Sequence, residues 1–150
     1  MGNTEVTFTD NSDHVKRQVG QAIAKSARMI GGTLEGHAKE YCPVDTGLLR
    51  NSITYAIGGE SPSVAAYRSN DKDKNGKPVE VKEGSYAGNA PQDRSGEVTV
   101  YVGSNVQYAP YQELGAPNIN LPARPFLRPA IENHVSEIKQ ILEQNLNHIR

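Results

Sequence analysis

Cysteine is almost absent from the sequence, which contains one, Cys42, among its 150 residues. A single thiol excludes an internal disulfide and a cysteine-rich zinc site, and it suggests a reducing compartment or no redox role. Hydrophobic runs are short as well, since none approaches the ~20 residues of a membrane span. The polar first residues also lack the apolar stretch of a signal peptide. The sequence therefore predicts a soluble protein made in a cytoplasm.

Net charge is nearly absent too. Sixteen Lys and Arg residues stand against seventeen Asp and Glu residues, which gives a formal charge of -1. This balance excludes the uniformly basic surface of a non-specific duplex-binding protein, although a local basic patch remains possible. No glycine-rich phosphate loop occurs, and no two of the four histidines have the i, i+4 spacing of a zinc helix. The sequence predicts no catalytic residue, no cofactor and no metal.

A long helix is the strongest pattern in the chain. Apolar residues recur at steps of three and four from Val15 to Tyr41, after residues 11–13, whose side chains can cap a helix. Pro43 ends the helix, because the residue before a proline disfavours helical geometry. Gly31 and Gly32 lie inside it and indicate a bend, a close contact with another backbone, or mere tolerance.

Shorter elements follow. Residues 53–57 and 97–103 are predicted as strands, as are residues 5–9, because they alternate. Residues 58–96 have the composition of a long polar hairpin or loop, either solvated or ordered by a partner. Prolines after residue 109 allow at most a short helical turn, and a last amphipathic helix is predicted from Arg128 to Ile149. The fold class is α+β: one domain over residues 1–150, with the long N-terminal helix and the C-terminal helix packed on one face of a small antiparallel sheet.

Two stretches have an unusual residue pattern. They are PVDTGLLRNSI at residues 43–53, and YAPYQELG at 108–115 followed by PARPFLRPA at 122–130. Both resemble segments of a family of neck or tail-completion proteins of long-tailed phages, in which the first follows the long helix and the second precedes the last helix. Leu114 stands where that family often has an aromatic residue, and Ala116 where it often has threonine. The resemblance covers roughly residues 13–57 and 97–149, and nothing is carried over to 58–96.

The resemblance implies a structural virion protein and no enzymatic reaction. Such a protein forms a ring at the head–tail junction, around the DNA conduit, with six-fold or twelve-fold symmetry. Its implied partners are copies of itself, the connector or head-closure protein, and the tail terminator or tail tube protein. Genomic DNA would pass through without sequence-specific contact, and no membrane is involved. The alternatives are a tail terminator, an assembly factor that leaves the virion, and, more distantly, a hydrolase using Asp45 or Cys42.

The motif residues are candidates for structural or interface roles. They are Asp45, Thr46, Gly47, Leu49, Arg50, Tyr108, Tyr111, Glu113, Gly115, Arg124, Pro125, Phe126 and Arg128. The Asp-Thr-Gly triplet also occurs in aspartic proteases, but their mechanism needs two carboxylates that share a proton on an all-β chain. A capped turn with Gly47 in a backbone conformation that other residues avoid is the favoured interpretation.

Several roles stay open for the charged and aromatic candidates. Arg50 pairs either with Asp45 or Glu113 in its own chain or with another subunit. Arg124 stays solvated, bridges to Glu113 or a neighbouring subunit, or contacts DNA phosphate. Phe126 and Leu127 are predicted to fill the core. Two tyrosines, 108 and 111, either pack internally or contact another subunit.

Overall fold

A computed structural model of the protein describes residues 10–44, 47–58 and 98–147. In chain order the elements are α1 (Ser12–Tyr41), α2 (Leu48–Ser52), β1 (Ile53–Ile57), β2 (Val100–Ser104), α3 (Ala109–Leu114), a 3-10 turn (Pro117–Ile119), α4 (Leu127–Glu132) and α5 (Val135–Leu146). The predicted α+β class is confirmed. The strand expected at residues 5–9 and the excursion expected at 58–96 lie outside the described residues, apart from Gly58. Among the described helices, none has the length and apolar character needed to cross a membrane.

Helix α1 is continuous, as its periodicity predicts. It ends at Cys42, whose extended backbone (φ -68°, ψ 126°) precedes Pro43. Its buried positions follow the predicted spacing from Ala27 through Ile30 and Leu34 to Ala38, whereas the first turns are exposed. Helix α1 contacts both strands and also α4 and α5, so it joins the sheet to the C-terminal helices.

The sheet is one antiparallel pair. Its register runs from Ile53 opposite Ser104 to Ile57 opposite Val100. The second strand begins at Val100, whereas alternation predicts a start at residue 97, which lies outside the described residues. A hydrogen bond from the Gly58 N–H to the Thr99 carbonyl (2.8 Å) follows the last pair.

The core lies where α1, α2, the sheet and α4 meet. Phe126 and Ile53 are fully buried at its centre. The other buried members are small or aliphatic: Ala38, Cys42, Leu49, Val106, Ala109 and Ala130. The predicted burial of Phe126 is confirmed, and Leu127 packs against the same cluster.

The C-terminal segment corrects the prediction of one helix from Arg128 to Ile149. Helix α4 ends at Glu132, and α5 begins at Val135. Between them the Asn133 N–H donates to the Pro129 carbonyl (3.1 Å), and the His134 N–H donates to the Ile131 carbonyl (3.2 Å). The second bond spans three residues and tightens the last turn, as 3-10 bonds do at helix ends. Apolar periodicity misses the break because it continues across it.

One of the two adjacent glycines in α1 is explained by a close contact. Gly31 is buried against the ring of Tyr55 on β1, and a Cβ added there would lie 2.7 Å from Tyr55 Cγ and 2.8 Å from Cε2. An added Cβ at Gly32 would meet no described atom within 4 Å. Gly31 thus permits the helix to approach the sheet, whereas Gly32 has no such role among the described contacts.

We predict opposite effects for alanine at these two neighbours. Gly31→Ala should lower the free energy of unfolding by about 1–3 kcal/mol, because the methyl group overpacks against Tyr55. Gly32→Ala should raise it by up to about 1 kcal/mol through helix propensity. Urea unfolding followed by circular dichroism measures both. Equal stability of the two variants would contradict the contact.

Candidate protein-protein interface

The first motif builds the turn from α1 into β1. Gly47 has a left-handed backbone (φ 78°), as the turn prediction requires, and its carbonyl accepts the Asn51 N–H at 2.9 Å. Leu49 is buried in the core, whereas Arg50 is exposed. Asp45 and Thr46 lie outside the described residues, so the pairing of Arg50 with Asp45 stays a prediction.

The thiol next to this turn is a core group. Cys42 is 5% exposed and belongs to the buried cluster. Burial raises the pKa of Cys42 to about 11, although the positive charge of Arg50 acts in the opposite direction. A thiol with that pKa remains protonated at neutral pH, and the thiolate is the nucleophilic form. Cys42 is therefore a packing residue.

The second motif makes a loop that doubles back on itself, which we call the interface loop (residues 108–128). Helix α3 is longer than the short helical turn that we predict from the sequence. Pro110 lies in its first turn, where a proline is compatible with a helix. Gly115 ends it with a φ of 77°, and a Cβ there would lie 2.9 Å from the Ala123 nitrogen. Ala116 and Leu121 exchange backbone hydrogen bonds of 2.9 and 3.1 Å. These contacts bring residues 122–128 back beside α3.

Glu113 holds this arrangement through backbone donors. Its Oε2 accepts the Phe126 N–H at 2.7 Å and the Leu127 N–H at 2.9 Å, and its Oε1 accepts the Arg128 N–H at 3.0 Å. Burial, the largest influence, raises the pKa of Glu113, but the three N–H donors and the Arg128 charge outweigh it, so the net pKa is lowered. The carboxylate is therefore ionised at neutral pH and binds the N-terminus of α4.

The cap on α4 is complete. A helix leaves four backbone N–H groups at its start without intrahelical acceptors. In α4 these belong to Phe126, Leu127, Arg128 and the next residue, Pro129, which has no N–H. Glu113 thus satisfies every donor that exists at this end. A further hydrogen bond, from the Arg124 N–H to the Gln112 carbonyl (2.7 Å), holds the segment before the cap against α3.

Burial divides the motif residues into two groups. Leu49 and Phe126 are inside the fold, Gly115 is fixed by its conformation, and Glu113 is committed to the cap. The exposed candidates are Arg50, Tyr108, Tyr111, Arg124, Pro125 and Arg128. The backbone N–H of Arg124 donates a hydrogen bond to the Gln112 carbonyl. No described carboxylate forms an ion pair with the Arg124 guanidinium.

Large apolar side chains on the interface loop face solvent. Tyr111 is 55% exposed, Leu114 65% and Ile119 67%. Tyr111 and Leu114 are three residues apart on α3, which places them on the same face. We call these three residues the exposed apolar group. Its two aliphatic members, Leu114 and Ile119, were not among the candidate site residues, because nothing in the sequence motif indicates that they are exposed.

Exposed apolar side chains beside exposed arginines make the interface loop a candidate protein-protein interface. The chain belongs to the family described as "Bacteriophage HK97-gp10, putative tail-component", whose model matches residues 7–115. The resemblance to phage neck and tail-completion proteins is thereby confirmed. The matched range includes the first motif and Glu113, but not residues 122–130. No curated protein and no solved structure matches the chain.

We predict that Glu113→Gln destabilises the fold by about 1–3 kcal/mol. The amide retains one acceptor oxygen but loses the charge and the second acceptor, and hydrogen bonds to charged groups contribute in this range. Thermal or urea unfolding measures the loss. Glu132→Gln, at an exposed position of α4, is the matched control and should change stability by less than about 0.5 kcal/mol.

The difference between wild type and Glu113→Gln should depend on pH. Because folding lowers the pKa of Glu113 below its usual value of 4.5, its stabilisation is fully present above that value. It is lost as pH falls through the folded-state pKa, where the carboxyl group becomes protonated in both states. Unfolding measured from pH 7 to pH 2 should show the two curves converging at the acid end. A constant difference would count against the ionic cap.

Proposed function

We propose that the protein is a structural virion component that forms a ring at the phage head–tail junction and joins the connector to the tail around the DNA conduit. Membership in a phage tail-component family supports a structural role. The observation that carries the finer proposal is the exposed apolar group on a loop that Glu113 fixes to the core.

A closed ring requires each subunit to present one surface to a different surface of its neighbour. The interface loop suits one side of such a contact, since tyrosine and arginine are enriched at interfaces and Tyr111, Arg124 and Arg128 are exposed beside apolar residues. Its backbone is already braced in the free chain, so little conformational entropy would be lost on association. We assign the group to contact between copies of this chain.

The charge balance is compatible with a DNA conduit. A strongly basic lining would bind passing DNA through its phosphates, whereas the chain has a formal charge of -1. The proposed partners, which the family resemblance implies, are the connector or head-closure protein on one side and the tail terminator or tube protein on the other. The proposal includes no catalysis and no cofactor for this role, and it places the finished protein in the virion.

We predict that Leu114→Asp abolishes self-association without unfolding the chain. A buried charge at a subunit contact costs several kcal/mol, whereas Leu114 is exposed in the single chain and should tolerate aspartate there. Native mass spectrometry gives the oligomeric state, and thermal unfolding checks the fold. Val15→Asp, at an exposed apolar residue of α1, is the control and should assemble normally. Equal assembly of both variants would remove the interface loop from the contact.

The decisive experiment is quantitative mass spectrometry of purified phage particles, followed by electron cryomicroscopy of the neck. A ring component should be present in a fixed six-fold or twelve-fold copy number, between connector and tail. Its location at the top of the tail tube alone would favour a terminator. Its absence from finished particles would favour an assembly factor and reject the proposal.

A further inference from the structure

Two histidines and a glutamate converge where α1 meets α5. His37 lies near the end of α1, His134 precedes α5, and Glu137 lies in the first turn of α5. His37 Nε2 is 2.8 Å from Glu137 Oε2, and His134 Nδ1 is 3.2 Å from the same oxygen. One ligand atom from each residue lies within 4.8 Å of the others. This set is separate from the interface loop, and the proposed function does not use it.

The geometry differs from that of an ordinary surface ion pair. The two histidine side chains are only 20% and 23% exposed, although Glu137 is 44% exposed. Their rings stack with centroids 3.4 Å apart and planes 10° apart. Both direct a nitrogen toward one carboxylate oxygen. Three potential metal ligands, one on α1 and two at the start of α5, thus lie close together although they are far apart in sequence.

The remaining ring nitrogens also face polar groups. His37 Nδ1 is 3.3 Å from Glu40 Oε2, and His134 Nε2 is 3.5 Å from the Tyr41 hydroxyl. The Asn133 amide donates to that hydroxyl at 3.3 Å. Metal-binding histidines typically donate their second N–H to such outer partners, which fixes the tautomer and orients the ring. A proton on His37 Nδ1 and on His134 Nε2 would leave His37 Nε2 and His134 Nδ1 as lone-pair donors.

We propose that His37, His134 and Glu137 bind a Zn²⁺ ion that links α1 to α5. Two imidazole nitrogens and one carboxylate form a donor set that zinc accepts, with water in the fourth position. Bonds of about 2.0–2.2 Å in a tetrahedron place ligand atoms about 3.3–3.6 Å apart. The observed separations of 2.8 and 3.2 Å therefore need small adjustments. The nearly parallel rings would rotate so that both lone pairs point at the ion.

The donor set argues against two classes of cation, the hard alkaline-earth ions and the ions that prefer thiolate. Ca²⁺ and Mg²⁺ prefer oxygen ligands, of which this cluster offers one carboxylate. Ions that prefer thiolate ligands find none in this cluster, because Cys42 belongs to the buried core cluster. The ion would connect the last part of α1 to the first turn of α5, across the break between α4 and α5. It would link the two helices through three protein ligands, with water as the fourth ligand.

The test is isothermal titration of the untagged full chain, freed of metal by chelation and dialysis, with ZnCl₂. Wild type should bind one Zn²⁺ saturably and unfold at a higher temperature with the ion. His37→Gln and Glu137→Gln should each weaken binding about tenfold or more, and Glu40→Gln about tenfold, because outer partners contribute in this range. MgCl₂ and CaCl₂ should give no saturable heat. CoCl₂ should give the visible absorption bands of a tetrahedral site.

The control is His14→Gln, at an exposed histidine in the first turns of α1. It should bind Zn²⁺ as wild type does. Circular dichroism without metal checks that each variant is folded, and Glu137→Gln serves if His37→Gln does not fold. Unsaturable binding by wild type overturns the proposal. Wild-type affinity in a folded ligand variant also overturns it. Neither result depends on whether the protein forms a ring.

Discussion

One carboxylate connects the two halves of the second motif. Glu113 lies on α3, and the three N–H groups that it accepts lie thirteen to fifteen residues further along the chain. Closing a loop of this length costs conformational entropy, which charge-assisted hydrogen bonds and the burial of Phe126 offset. The interface loop keeps its position against the core because both contacts act on the same few residues. Tyr111 and Leu114 lie on the same helix as Glu113 and remain exposed.

The same constraint extends to α1 through the core. Phe126, the N-cap residue of α4, is fully buried among residues from α1, α2 and the sheet. Capping α4 therefore also fixes its packing against α1, which in turn approaches the sheet closely at Gly31. A helix with glycine at that point loses some intrinsic propensity but permits the Tyr55 ring to pack on its backbone. Local preference and tertiary packing conflict here, and packing prevails.

The sequence predicts those features that depend on local periodicity. It predicts the extent of α1, the position of β1, the burial of Phe126 and the turn at Gly47. It misses the break at Asn133 and His134, because apolar spacing continues through the break while the backbone geometry changes. It also misses the role of Glu113, because a cap thirteen residues away has no local signature. The contact between His37 and His134 likewise has no local signature, because the two residues are far apart in the sequence. The i, i+3 spacing of His134 and Glu137 offered a partial signal.

Residue types in the second motif follow from how α4 is capped. A local cap would need serine, threonine, aspartate or asparagine at position 126, but that position supplies the core with phenylalanine. The acceptor must therefore come from elsewhere, and proline at 129 reduces the donors to the three that one carboxylate serves. Gly115 has no Cβ, so the returning chain can pass close to it at Ala123. None of these contacts depends on the side chain at 114, which is exposed. A substitution at that position would alter the exposed surface of the loop and leave the Glu113 hydrogen bonds beneath it unchanged.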